Sequence, residues 1–153
     1  MSKHRIIDLT ETCTGCFACA NSCPKDAVSL PENYEGFYFP VIDNDKCIDC
    51  GLCDKVCPQV TAQPMQNACK AYYGWATDDA IRKTSSSGGL FHLLAQYVLA
   101  QNGIVYGAAF NYEGLVRLEC HSTDEVTLEE LQRSKYVQNH IGYAFRKIKK
   151  DLQ

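Results

Sequence analysis

Ten cysteines stand in a chain of 153 residues, and eight of them fall into two copies of one spacing. Cys13, Cys16, Cys19 and Cys23 are followed by Pro24; Cys47, Cys50, Cys53 and Cys57 are followed by Pro58. Both copies read C-x2-C-x2-C-x3-C-P, and each cysteine and the proline recur at an offset of 34 residues. That run suits a 4Fe-4S cube, whose four iron corners each take one thiolate. Three cysteines at i, i+3 and i+6 can wrap three corners of one cube, while the fourth leads away. In two-cluster ferredoxins the fourth cysteine serves the other cube. The expected ligand sets are therefore Cys13, Cys16, Cys19 and Cys57 for one cluster, and Cys47, Cys50, Cys53 and Cys23 for the other. The chemistry implied is one-electron transfer.

Two other uses of the thiols compete. Zinc ligands usually come as paired C-x2-C knuckles joined by long spacers, which a third cysteine at i+6 fits poorly. Disulfides belong to oxidising compartments, and Met1-Ser2-Lys3-His4-Arg5 leads into no apolar signal run. The apolar-rich stretch Leu90 to Ala100 is too short to span a bilayer, and His92 and Gln96 interrupt it. The reading is a cytoplasmic protein with no membrane span. Cys69 and Cys120 lie outside the repeat and read as small buried hydrophobes. His4, His92, His121 and His140 show no metal-ligand spacing.

Charge is uneven. Residues 1–62 hold nine Asp+Glu against five Lys+Arg, and residues 63–153 nine against ten. Four thiolates leave an oxidised 4Fe-4S cluster at about −2, deepening the acidity of the first half. Nucleic acid is a poor partner for that surface, and a redox partner protein or subunit with a basic docking face suits it better.

The elements that must hold these residues follow from spacing and punctuation. The x3 interval before each fourth cysteine fits about one helical turn, over residues 18–22 and 52–56, ended by Pro24 and Pro58. Gly15 and Gly51 let the backbone turn close to sulfur, where N–H groups can donate to thiolates. Phe17, Ile48 and Leu52 are expected to shield the cubes. Strands are expected over 27–30 and 36–41, joined by a turn at 33–36. Residues 63–69 read as a linker.

Beyond the linker, the pattern predicts a strand over 71–76, a helix over 80–83 capped by the Thr77-Asp78-Asp79 segment, and a longer helix over 89–101. In that helix Leu90, Leu93, Leu94, Tyr97 and Val98 share one face. Strands over 104–110 and 115–120 follow, then a helix from a Thr123-Asp124 cap to Gln132, and a last helix from about Gly142. The expected class is α+β: a bacterial two-cluster 4Fe-4S ferredoxin-like domain over 1–62 and an incomplete α/β (βαββαα) domain over 70–153. The chain ends inside the basic helical stretch around Arg146-Lys147-Ile148-Lys149-Lys150, which reads as the N-terminal part of something longer.

Ser85-Ser86-Ser87-Gly88-Gly89 before the long helix is a second candidate site, since exposed N–H groups and the helix dipole attract anions. A plain N-cap is the competing reading. The double cysteine run, Ser85-Ser86-Ser87-Gly88-Gly89-Leu90-Phe91, Gly103 to Phe110, Glu129-Glu130-Leu131 and Arg133-Ser134-Lys135-Tyr136-Val137-Gln138 together resemble the coenzyme F-420 hydrogenase/dehydrogenase beta-subunit family. The resemblance runs from about Cys13 to Lys150. Arg133 stands where that family has glycine, and the family's later strand, Thr-Pro-Cys motif and remaining flavin domain do not occur in these 153 residues. The resemblance implies FAD in the whole protein, relaying electrons between the clusters and coenzyme F-420 or a similar deazaflavin. Ser85, Ser86, Ser87, Gly88, Gly89, Ser134 and Lys135 would contact the flavin, and residues 1–153 alone would be inactive. The other functional readings are a non-catalytic ferredoxin-type carrier with a fused docking domain, and clusters that serve only the fold.

Overall fold

A computed structural model describes residues 4–9, 11–61, 70–113 and 117–153. They form two compact units: residues up to 61 together with Ile141–Gln153, and residues 70–140. The expected linker, Cys69 and the start of the expected strand at 115 lie outside the described residues.

In the first unit the two intervals predicted to be helical turns are helical: α1 is Ala18–Ser22 and α2 is Leu52–Val56. Each ends at its fourth cysteine, whose N–H reaches back to the carbonyl three residues earlier, at Ala20 and Asp54. The two helices pack on each other. A two-stranded antiparallel sheet joins β1 (Val28–Ser29) to β2 (Val41–Ile42), with Val28 opposite Ile42. The strand expected over 36–41 is thus displaced. The predicted turn forms, with Asn33 Oδ1 accepting from the Glu35 and Phe37 amides. Pairing beyond it is a single bridge, Glu32 to Tyr38. Pro40 has no N–H to extend the ladder, so regular pairing waits for Val41.

The core of this unit is small. Ile6, Phe17, Ala20, Val28, Leu30 and Tyr38 are buried with Cys19 and Cys53, and Phe17 meets Tyr38 edge-on at 5.4 Å. Ile6 belongs to a 3-10 turn, Arg5–Asp8. The Ile6 amide donates to Asp54 Oδ1 at 3.0 Å, which fastens that turn to α2.

In the second unit Asp78 caps α3 (Asp79–Thr84), its carboxylate accepting from the Ala80 and Ile81 amides. α4 is Leu90–Leu99. β3 (Tyr106–Asn111) and β4 (Arg117–Ser122) pair antiparallel, with Ala108 opposite Cys120. α5 (Leu128–Leu131) follows, and β5 (Asn139–His140) adds parallel to β4.

Several expectations fail here. No strand forms over 71–76; Ala76 instead bonds its amide to the Gly88 carbonyl in an irregular crossing. The helix expected from a Thr123-Asp124 cap is capped instead at Thr127 and begins at Leu128. There a reciprocal capping box, Thr127 Oγ1 with the Glu130 amide and Glu130 with the Thr127 amide, gives a stronger start. The apolar face of α4 is largely open, Leu94 and Tyr97 being 66% and 68% exposed, whereas Ala95 is buried. The βαββαα order gives way to two helices, a hairpin, a short helix and a parallel strand.

The last helix, α6 (Ala144–Asp151), joins the first unit, contrary to the 70–153 boundary read from texture. Arg146 is the reason. Its guanidinium and Nε reach the carbonyls of Ala20, Asn21 and Cys23 at 2.8–3.0 Å and the Asp26 carboxylate at 2.6 Å. The carbonyls left over at the end of α1 thereby gain a cationic donor.

Candidate metal centres

The eight repeat cysteines sort into two cavities. One is lined by Cys13, Cys16, Cys19 and Cys57, with Phe17, Leu30 and Ile6 around them. The other is lined by Cys47, Cys50, Cys53 and Cys23, with Val28, Ile48 and Leu52. Each cavity thus draws three cysteines from one run and the fourth from the other. α1 and α2 produce this exchange, because each helix carries its third cysteine inside its first turn and ends at the fourth.

The backbone repeats where the residue types do not. Gly15 and Asp49, 34 residues apart, have φ +62° and +52°; Phe17 and Gly51, equally spaced, have +58° and +70°. Two left-handed residues per run curl the chain around the sulfurs. One is glycine in each run, although at different places.

Without a metal, Cys13, Cys19 and Cys53 resist ionisation. Burial pushes Cys19 up to about 12, the Ala20 amide opposing and the sulfurs of Cys16 and Cys13 adding to the rise. Cys13 is raised by burial first, against the Gly15 amide, and by Cys16 and by Cys57 from the other run. Cys53 is raised by burial, then by the Asp54 carboxylate. Four clustered thiolates in an apolar cavity need a compensating cationic core, which an iron–sulfur cube supplies. The donor set fits it. Phe17 is buried as a shield, while Ile48 and Leu52 cover the second cavity less completely, at 56% and 39% exposure. Cys50 is itself exposed.

Sequence reasoning passed over His4. It is buried beside the second cavity, its Nε2 3.5 Å from Cys47 Sγ and 3.3 Å from Asp49 Oδ1, its Nδ1 3.3 Å from Asp54 Oδ2. A histidine nine residues ahead of the first cysteine gives no spacing signal toward the second run. Cys120 is half-buried on β4.

The second unit brings part of the other candidate site together. Gly74, residues 85–92, Gln132 and Arg133 line a cavity of about 160 Å³. The Ser134 amide donates to Ser86 Oγ at 3.3 Å, so the two serine segments do meet. The glycines have packing reasons of their own. A Cβ on Gly88 would lie 2.5 Å from the Gly74 carbonyl oxygen, and Gly89 caps α4 at φ +83°. Lys135 does not line the cavity; its Nζ donates to the carbonyls of Glu130 and Gln132. Burial, then nearby Arg133, hold its pKa below the ordinary lysine value. Arg133 has φ +71°, the conformation for which glycine is best suited. Its Nε donates to the Thr84 carbonyl at 3.0 Å. His92 is satisfied by Gln132 at 2.9 Å.

Residues 12–61 match the family model of the 4Fe-4S dicluster domain. The chain carries a dicluster ferredoxin domain. A second dicluster model matches residues 39–107, where the run from Cys47 to Cys57 is followed only by Cys69. That stretch by itself therefore holds too few thiols for two cubes. Among curated relatives, the chain is 40% identical over 58 residues to Ferredoxin-1 of Caulobacter vibrioides, covering 37% of this chain and 47% of the relative. It is 42% identical over 52 residues to Ferredoxin 7Fe of Hydrogenibacillus schlegelii, 33% of this chain and 60% of that one. It is 37% identical over 54 residues to the polyferredoxin-like subunit of the aliphatic sulfonate oxidoreductase of Pyrococcus furiosus, 34% of this chain and 30% of that one. The chain spans less than two thirds of the length of each of these relatives. An iron–sulfur electron-transfer role follows for the dicluster domain. Among the described residues no helix is long and apolar enough to cross a membrane.

Proposed function

We propose that this chain is the electron-relay part of a flavoprotein oxidoreductase, with two 4Fe-4S clusters held by exchanged thiolates. Cys13, Cys16, Cys19 and Cys57 hold the first cluster, and Cys47, Cys50, Cys53 and Cys23 the second. The observation that carries this is the sorting of the eight sulfurs into two cavities, each with a fourth cysteine from the opposite run. The acidic first half suits a partner subunit with a basic docking face.

Paired variants test the exchange after anaerobic reconstitution. Cys13→Ala with Cys57→Ala should retain about four irons per chain, since both residues serve one cube. Cys47→Ala with Cys57→Ala should lose both cubes. The reverse pattern refutes the exchange, and wild-type protein that takes up far fewer than eight irons refutes the clusters.

The flavin part of the proposal rests on the resemblance and on the cavity between Ser85 and Arg133. Ser86 and Ser87 offer hydroxyls there, and Arg133 a cation. Bound FAD would supply the exchange between single electrons and a hydride pair, with coenzyme F-420 or a similar carrier at the far end. The cavity, about 160 Å³, is smaller than the several hundred Å³ that enclose a cofactor of that size. Residues 1–153 should therefore bind FAD weakly or not at all; tight stoichiometric binding in a fluorescence titration would refute this. That small cavity, with the Lys135 Nζ engaged by the carbonyls of Glu130 and Gln132, also favours a second reading, a ferredoxin-type carrier fused to a docking domain. Full-length protein with intact clusters and no flavin would select it.

A further inference from the structure

We propose that His4 makes the two cluster sites unequal, so that the second, built on Cys47, Cys50, Cys53 and Cys23, is the one reduced first. This rests on the cluster reading above. His4 is 6% exposed, and Nε2 lies 3.5 Å from Cys47 Sγ. Asp54 holds the ring from its other side, with Nδ1 to Oδ2 at 3.3 Å, and is itself held by the Ile6 amide at 3.0 Å. The buried imidazole is thereby held beside the sulfur by a partly buried chain of contacts. A Cys47 thiolate can only accept, so a proton on Nε2 is shared between Cys47 Sγ at 3.5 Å and Asp49 Oδ1 at 3.3 Å.

A donor on a ligating sulfur stabilises the more negative, reduced state of the cluster and raises its potential. The first site has a different neighbour. Cys13 Sγ lies 3.7 Å from the Tyr38 carbonyl oxygen. A carbonyl oxygen beside a thiolate acts in the opposite direction, against added negative charge. Exposure works the same way as His4. Cys50 is exposed and Ile48 is 56% exposed at the second site, whereas Phe17 is buried at 6% over the first. Greater contact with water favours the more highly charged reduced cluster. Asp49 and Asp54 oppose this through their charge, but both lie against His4, at 3.3 Å each. Removing the imidazole would take away a donor and leave two carboxylates facing the sulfurs.

The test is a dithionite titration followed by electron paramagnetic resonance, in which each cluster takes up one electron. It compares wild type, His4→Phe, which fills the space without a donor, and His4→Gln, which keeps an N–H. Wild type should show two separated midpoints. His4→Phe should move the higher one to more negative potential and leave the other in place, and His4→Gln should restore part of the separation. Unchanged midpoints, or two midpoints that move together, would overturn the proposal. So would loss of four irons in either variant, because His4 would then hold the site rather than tune it. Wild type that never reaches eight irons would instead defeat the cluster reading, and iron and sulfide analysis beforehand separates the two failures.

Discussion

Arg146 offers the sharpest test of how the first unit is assembled. Its side chain is about one third exposed and donates to the carbonyls of Ala20, Asn21 and Cys23 and to Asp26. It also stacks over the Tyr143 ring at 4.7 Å. Hydrogen bonds from a charged donor contribute ~1.5–3 kcal/mol each when taken singly. They share one guanidinium, so their effects do not add. The Asp26 partner is 65% exposed, which leaves that ion pair screened. Truncation to alanine should therefore cost α6 about 2–3 kcal/mol of docking free energy, most of it from the three carbonyls. At roughly tenfold per 1.4 kcal/mol, amide exchange over Ala144–Asp151 should quicken about 30- to 150-fold. Hydrogen exchange read by mass spectrometry on reconstituted protein measures this. Arg146→Lys keeps the charge but not the fork, and should recover only a minor part. Asp26→Asn should change exchange less than threefold. Unaltered exchange in Arg146→Ala would show that packing around Ile141, and not the guanidinium, holds the helix.

The remaining predictions concern both units. Gly88→Ala would force a Cβ to 2.5 Å from the Gly74 carbonyl oxygen, and should destabilise the second unit by about 1–3 kcal/mol, followed by fluorescence of Trp75, the chain's single tryptophan. Thr127→Ala removes one half of the capping box and should cost α5 about 1 kcal/mol, read by amide exchange at Glu130 and Leu131. Bonds from Thr127 hold the Glu130 carboxyl below its usual 4.5, so its stabilising contribution is complete above that value and is lost as pH falls through the lower folded value. Glu130→Gln should flatten α5 protection between about pH 5 and 3, and an unchanged profile would refute the link. Iron chelation should abolish protection at Val28 and Ile42, whose unit has few buried apolar side chains, while leaving β3 and β4 protected. Protection that survives at Val28 would show that the clusters are dispensable for the fold.

Legibility in the sequence varied with how local the cause was. The spans of α1 and α2 were readable because cysteine spacing and a following proline determine them within a few residues. The turn at Asn33 and the cap at Asp78 were equally local. The strand over 71–76 was not, since its apolar run is overridden by a close crossing with Gly88, a contact between distant segments. Helical periodicity located α4 and its apolar stripe, but that stripe is largely open. Periodicity reports which residues share a face, not what that face meets. Arg146 read as part of a basic helical end, and its carbonyl partners in α1 and at Cys23 lie more than 120 residues away. The flavin candidates divided likewise. Ser86 and Ser134 do meet, yet Lys135 caps α5, and the glycines answer to backbone approach.

A tandem repeat constrains its own backbone but not its surroundings. Ala20 and Asp54 occupy equivalent places in α1 and α2, 34 residues apart. The Ala20 carbonyl accepts Arg146, while the Asp54 carboxylate accepts the Ile6 amide and faces His4. One helix is thus braced by the segment that follows both runs, and the other by the segment that precedes them. Each flanking segment occurs once, so it can support only one of two nearly identical half-sites. Inequality between the sites is then a direct consequence of placing unique flanks around a duplicated core. It also predicts a separation of effects. Changes at Arg146 act first on α1 and the carbonyl of Cys23, whereas changes at His4 act first on α2 and the sulfur of Cys47. Cys23 crosses to the second cavity, so its loosening should reach that cluster through the exchanged ligand, and a disturbance confined to the first cluster would contradict the crossed arrangement.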